Sequence, residues 1–244
     1  MRNLATAALA GSLILFAAGV YAQDEEEAVA QGWTGNGEFG LVSTTGNTNS
    51  SALNLKLQFV KQTEKWRHRF AGTALATSEN GTRDNERYTA ELQSDRKLGE
   101  KGFVFGVVRW DADKFGAYDP QQTATVGYGR QLMKSPKHEL KGEIGVGYRN
   151  LEERVSGIAS KEVIIRLLLD DSWQVFKSTN WTNRLLIETG ADNTFTLFNT
   201  GVAVSMTERF ALKLGWELRN NSKVPPGDTV KTDTVTTMNL VYNF

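Results

Sequence analysis

Between residues 53 and 59 the side chains alternate with a period of two: Leu53, Leu55, Leu57 and Phe59 on one side, Asn54, Lys56 and Gln58 on the other. The same alternation separates Leu140, Ile144, Val146 and Tyr148 from Lys141, Glu143 and Arg149. It also separates Phe210, Leu212, Leu214, Trp216 and Leu218 from Lys213, Glu217 and Arg219. No charge enters the apolar phase of these three stretches. Successive side chains of a strand point to opposite faces, so each stretch is a strand with one apolar and one charged face. A sheet with hydrocarbon on one side and water on the other imposes that pattern, because Lys or Arg facing lipid near the midplane costs about 2–4 kcal/mol.

Twelve such segments are expected, near 33–44, 50–62, 66–78, 86–98, 102–114, 121–133, 138–150, 161–175, 180–190, 194–206, 209–220 and 232–244. Most exceed the five or six residues usual in soluble proteins and reach the roughly 9–11 of a tilted membrane strand. Short polar turns follow the even-numbered segments, as at Thr63-Glu64-Lys65 and Ser135-Pro136-Lys137. Longer connections are expected after odd-numbered ones, at Thr45–Asn49, Glu79–Asn85, Phe115–Pro120, Leu151–Ser160 and Asn221–Lys231, with Ala191–Asn193 breaking the trend. An even-stranded barrel with both termini in the periplasm has that alternation. The expected fold is therefore all-β: an antiparallel up-and-down transmembrane β-barrel of about twelve strands, residues 33–244.

Two segments mix their phases. Phe103, Phe105 and Val107 share a phase with Arg109, Asp111 and Asp113; the ions decide, so Val108 and Trp110 are expected outside. Along the nearly apolar run Val163–Leu169, Arg166 and Asp170 are expected inside together with Ile164 and Leu168.

The chain ends agree with export to a membrane. Arg2 precedes an apolar stretch from about Leu4 to Val20, and Val20-Tyr21-Ala22 offers a cleavage site after Ala22, the form of a secretory signal peptide. The acidic run Asp24–Glu27 then makes residues 23–32 a solvated periplasmic tail. At the other end Tyr242 and Phe244 close an alternating strand and are expected to be read by the outer-membrane barrel assembly machinery. The 244 residues carry no cysteine and no net charge, and mean hydropathy is −0.38. That composition excludes thiolate metal sites and gives no basic footprint for nucleic acid. Outer-membrane lipid is the expected surrounding and the barrel is expected to be monomeric. Aromatic girdles are expected from Trp33, Trp66, Phe103, Trp181, Phe210 and Phe244 at one end and Trp110, Tyr118 and Tyr148 at the other.

Chemical motifs are sparse. Gly35-Asn36-Gly37-Glu38-Phe39-Gly40 has dinucleotide-loop glycines without the helix that such a loop needs. Thr125-Val126-Gly127-Tyr128-Gly129 spells a potassium filter without flanking membrane helices and is assigned to a barrel strand with its glycines inward. His68 falls in the outward phase, and His138 follows the Pro136 turn; neither is placed to serve a catalytic site inside the barrel or at its outer rim. Asp111, Asp113 and Asp119 form an acidic group, but Lys114 among them favours ion pairing over Ca²⁺. No catalytic residue, cofactor or metal is expected.

The inward charges remain as the candidate site. They are Lys56, Arg67, Arg69, Lys97, Arg109, Lys141, Arg149, Arg166, Arg184, Lys213 and Arg219, with Glu38, Glu91, Asp95, Asp111, Asp113, Glu143, Glu162, Asp170, Glu188 and Glu217. A lumen carrying both signs is nearly neutral and cross-linked by ion pairs.

Trp33-Thr34-Gly35, Glu38-Phe39-Gly40-Leu41, Thr45-Gly46-Asn47-Thr48, Arg109-Trp110-Asp111-Ala112-Asp113-Lys114-Phe115 and the closing Tyr242-Asn243-Phe244 carry a resemblance. The chain resembles the YdiY-like family of salt-induced outer-membrane proteins, domain of unknown function 481. The resemblance implies an outer-membrane barrel tied to salt or envelope stress, and brings no catalytic residues with it. The expected function is a small, weakly selective pore with a charged lumen. The alternatives are a soluble periplasmic β-barrel carrier of lipids or small molecules, and an outer-membrane barrel hydrolase.

Overall fold

The computed structural model describes residues 32–44, 50–226 and 230–244. The expected signal peptide, all but the last residue of the acidic tail and the Thr45–Asn49 loop lie outside the described residues. The strands are β1 (Gly32–Thr44), β2 (Ser50–Gln62), β3 (Trp66–Glu79), β4 (Thr82–Leu98), β5 (Gly102–Asp113) and β6 (Tyr118–Lys134). They continue as β7 (His138–Glu153), β8 (Ala159–Phe176), β9 (Thr179–Thr189), β10 (Thr194–Ser205), β11 (Phe210–Asn221) and β12 (Thr232–Asn243). Each pairs antiparallel with its neighbours in sequence, and β1 meets β12 to close the barrel.

In β2, β7 and β11 the apolar and charged phases take opposite faces, as the charges demand. Leu55, Val146 and Leu214 are exposed on the outer wall, whereas Glu143 is buried and Lys56 and Lys213 line an internal cavity. A soluble carrier needs the reverse. In β5, Phe103, Phe105, Val107, Arg109, Asp111 and Asp113 are buried while Val108 and Trp110 face out. In β8, Ile164, Arg166 and Leu168 are buried between exposed Val163, Ile165, Leu167 and Leu169. One expectation fails inside β5. Phe103 is no girdle residue; its ring lies in the lumen beneath the Arg67 and Lys141 cations, over Gly129, where a Cβ would overlap it. Glycine in β6 is what lets that ring lie flat on the wall.

The loops depart from expectation. Glu79–Asn85 is not a loop: β3 and β4 run on to a two-residue turn, Asn80-Gly81, with φ of 51° and 80°. Positive φ at both central positions suits the right-handed twist of a hairpin, and Asn-Gly adopts it at low cost. Two other far-end connections shrink, to 114–117 and 154–158, because β6, β7 and β8 lengthen to 17, 16 and 18 residues, whereas the connection between β11 and β12 keeps its expected length. Polar residues that read as loop satisfy their backbones in ladder hydrogen bonds. The unequal ends of this barrel reside in strand height more than in loop length.

Aromatic rings band the end that holds the C-terminus (the terminal end). Trp33, Trp66, Trp181, Phe210 and Phe244 are exposed there, and Phe244 lies 5.5 Å from the Phe59 ring. Lys61, at the tip of β2, continues that strand's apolar phase but sets its ammonium 5.4 Å from the Trp33 ring, as an interfacial cation should. Toward the opposite, far end, Trp110 and Tyr148 are exposed and Tyr118 donates to the Lys223 carbonyl.

Candidate functional site: a charged lumen

The seam between β1 and β12 is the weakest ladder. Only Asn36–Phe39 register with Leu240–Asn243, and Gly35 and Phe244 exchange two backbone hydrogen bonds. Side chains reinforce it from within. Asn54 Nδ2 on β2 donates to Asn239 Oδ1 on β12 (3.1 Å), and Asn239 Nδ2 donates to Glu38 Oε2 on β1 (2.9 Å). Lys213 on β11 completes the stitch by donating to Glu38.

On the opposite side the lumen is packed solid. Arg149, Arg166 and Glu188 are fully buried. Glu188 is held by two guanidinium groups, Arg166 Nη1 at Oε1 and Arg109 Nη2 at Oε2, both 3.0 Å. Arg149 donates to Glu162, to the Glu188 carbonyl and to the Asn193 carbonyl. Those bonds draw the Gly190–Asn193 turn into the mouth of the barrel below the taller β7 and β8. Asn193 also donates to Asn221 and accepts from Ser222 and the Lys223 backbone, which ties that turn to the end of β11. Phe195 is buried between two cations, 5.0 Å from Arg109 and 5.2 Å from Arg219. Charged groups this deep persist only when paired, and each of these carries an ion pair, although Arg109 Nη1 and Arg166 Nε and Nη2 have no hydrogen-bond partner among the described residues.

Between these regions, ion pairs cross the lumen between strands that are not neighbours. Arg184 on β9 joins Glu91 on β4 across the lumen (3.2 Å) while also bonding Asp170 on the adjacent β8 (2.8 Å). Arg219 on β11 joins Asp111 on β5 (3.1 Å), and Arg69 on β3 approaches Asp170 (3.8 Å) while bonding Glu91 (3.0 Å). Arg67 pairs with Asp95, and Lys141 with Glu143. Lys56 registers opposite Glu38. Lys97 leaves the network: its ammonium donates to the Thr63 carbonyl and pins the β2–β3 turn. A cavity of about 760 Å³ runs from the rim at the terminal end, beside Asn36 and Asn243, up to the level of Arg87, Asp111 and Arg219.

Arg87 escaped sequence reasoning. It is buried, bonds Asp113 (2.7 Å) and reaches Glu217 (3.4 Å) and Asp233 (4.0 Å). It shares the odd-numbered phase of Glu91 and Asp95, so following that phase to the start of β4 would have found it. Gln93, which donates to both Asp95 and Glu143, carries the same signal.

The acidic group disperses: Asp111 goes to Arg109 and Arg219, Asp113 to Arg87, and Asp119 to Lys114. The Asp119 hydrogen bond holds the exposed Lys114 ammonium above its ordinary pKa. Both histidines have partners on the outer wall near the terminal end. His68 lies 2.9 Å from Ser94 Oγ and stacks on Trp66. His138 is the first residue of β7, as the segment 138–150 implied, and its Nε2 is 2.6 Å from Asp171. Asp171 accepts from Asn183, which accepts from Thr200, which accepts from Trp181. Asp171 shares the phase of exposed Leu169 and Trp173, so this polar chain lies outside the lumen.

The model of the family described as "Protein of unknown function, DUF481" matches residues 37–244. The chain belongs to that family. Its relative YdiY of Escherichia coli strain K12, described as uncharacterized, is 27% identical over 222 residues, which cover 90% of this chain and 86% of YdiY. Among solved structures, the NanC porin superposes with a TM-score of 0.52 at 9% identity, covering 87% of this chain and all of that one. An outer membrane channel from Pseudomonas putida F1 gives 0.53 at 11% identity, covering 91% of this chain and all of that one. These two likenesses are of fold: this member of the DUF481 family shares the closed antiparallel barrel.

Proposed function

We propose that this DUF481 barrel resides in the outer membrane, delivered by the signal peptide, and acts there as a narrow, weakly selective passage for small ions and solutes. The apolar outer wall between two aromatic bands supports the location, since each strand presents only alternate side chains to lipid. The cavity of about 760 Å³, lined by both Lys56 and Glu38, carries the passage reading. A lumen of mixed sign favours neither anions nor cations strongly. The ion pairs that cross it keep conductance small, and the resemblance to salt-induced proteins fits a passage used under osmotic stress. Assembly is read from the final strand, whose Phe244 pairs with Gly35 at the seam.

Planar-bilayer recording of the purified, folded protein tests the reading. Small, regular conductance steps with weak ion preference are expected. A folded barrel that gives no steps at any voltage would eliminate the passage and leave the barrel.

A further inference from the structure

We infer that the outer wall over β4–β8 carries a specific binding groove for one membrane lipid whose headgroup bears phosphate and hydroxyl groups. The inference rests on the reading that hydrocarbon surrounds the barrel. The groove encloses about 600 Å³, within the roughly 300–1,000 Å³ of small-molecule sites. Its floor is low because Ala90 and Ala124 sit where neighbouring outward positions carry large side chains, and its sides are the exposed rings of Trp110 and Tyr148. An acyl chain fits that trough, since aromatic walls and alanine floor give it contact on three sides.

The far end of the groove is polar. Gln122, Asn150 and Lys161 follow one another along a single rung, Gln122 opposite Asn150 and Asn150 opposite Lys161. All three line the groove, and Asn150 Oδ1 is buried there without a hydrogen-bond partner among the described residues. A buried carbonyl oxygen without a donor carries an unmet cost, which a headgroup hydroxyl would remove once the Asn150 amide turns toward the groove. The exposed Lys161 ammonium, two residues beyond outward-facing Val163, stands at headgroup depth and suits a phosphate. Cation, amides and trough thus match the order of a lipid from phosphate to chain.

Native mass spectrometry of the detergent-solubilised full-length barrel, offered phosphatidylglycerol and phosphatidylcholine of equal chain length, tests the assignment. The wild type should retain one phosphatidylglycerol with a preference of about fivefold, the scale of one lysine at a lipid surface. K161Q should bring the ratio to about one, and A124F, which fills the trough from the lipid side, should lose the bound lipid. K61Q, at the opposite end of the wall, should match the wild type. Heat-modifiable gel mobility and insertion into vesicles establish that each variant has folded. Inserted protein with equal ratios for wild type and K161Q, or an A124F that keeps its lipid, overturns the groove alone. A wild type that never inserts overturns the membrane reading and the groove together. A lipid-free wild-type dimer that A124F dissociates would reassign the surface to a second copy of the chain and overturn the lipid.

Discussion

Lys213 Nζ lies 2.6 Å from Glu38 Oε1, so β11 grips β1 across the intervening β12. This bond backs the shortest ladder of the barrel, where four residues of β1 register with β12 against thirteen with β2. E38A would leave Lys213 and Asn239 without their acceptor at the seam. A loss of about 2–4 kcal/mol is expected, toward the lower figure because Lys213 is partly solvated. The temperature at which the folded gel band disappears should fall clearly, whereas E38Q should fall less because its carbonyl still accepts.

In the proposed passage, the cross-lumen pairs would set the width of the opening. Arg184 bonds Asp170 on the adjacent strand and reaches Glu91 across the lumen, so R184A should cut the web at mid-height. Single-channel conductance is expected to rise several-fold over the wild type, and cation preference should grow as two carboxylates lose a partner. Equal conductance in the two proteins would mean that the web does not limit flow.

Phe195 tests the packed side. Its ring lies between Arg109 and Arg219, and cation–π contacts at desolvated sites are worth about 2 kcal/mol or more. F195A removes both contacts and opens a void, for an expected cost of about 3–5 kcal/mol. F195L should cost less than half of that. Denaturant midpoints of vesicle-reconstituted protein would separate the two.

Two glycines make a matched pair. A Cβ on Gly129 would strike the Phe103 ring, whereas one on Gly106 meets nothing within 4 Å. G129A should destabilise by about 1–3 kcal/mol through overpacking. G106A should be neutral or slightly stabilising. Heat-modifiability transitions of the two variants should therefore differ.

Reading the chain by period two located all twelve strands and the inner face of those that carry charges, because the cost of an ion in lipid leaves its mark on every second residue. Even the mixed β5 and β8 were readable, since Arg109 and Arg166 outrank any aromatic or aliphatic neighbour. The partners of those charges were not readable. Period tells which face Arg184 is on, but its meeting with Glu91 depends on barrel tilt and stagger, which no local pattern encodes. The far-end loops were misjudged for a related reason. Polarity at Thr82–Asn85 looks the same in a loop as in a strand that rises above the hydrocarbon. Nor did composition betray the chain of side chains from His138 to Trp181, whose members come from four different strands.

The Asn80-Gly81 hairpin has a consequence outside the cell, if the far end faces there. Ladder bonding continues to the residues flanking that tip, so β3 and β4 offer no slack chain for a protease cleft to draw out. A taut tip of this kind would also offer an antibody or a phage little loose chain to grasp.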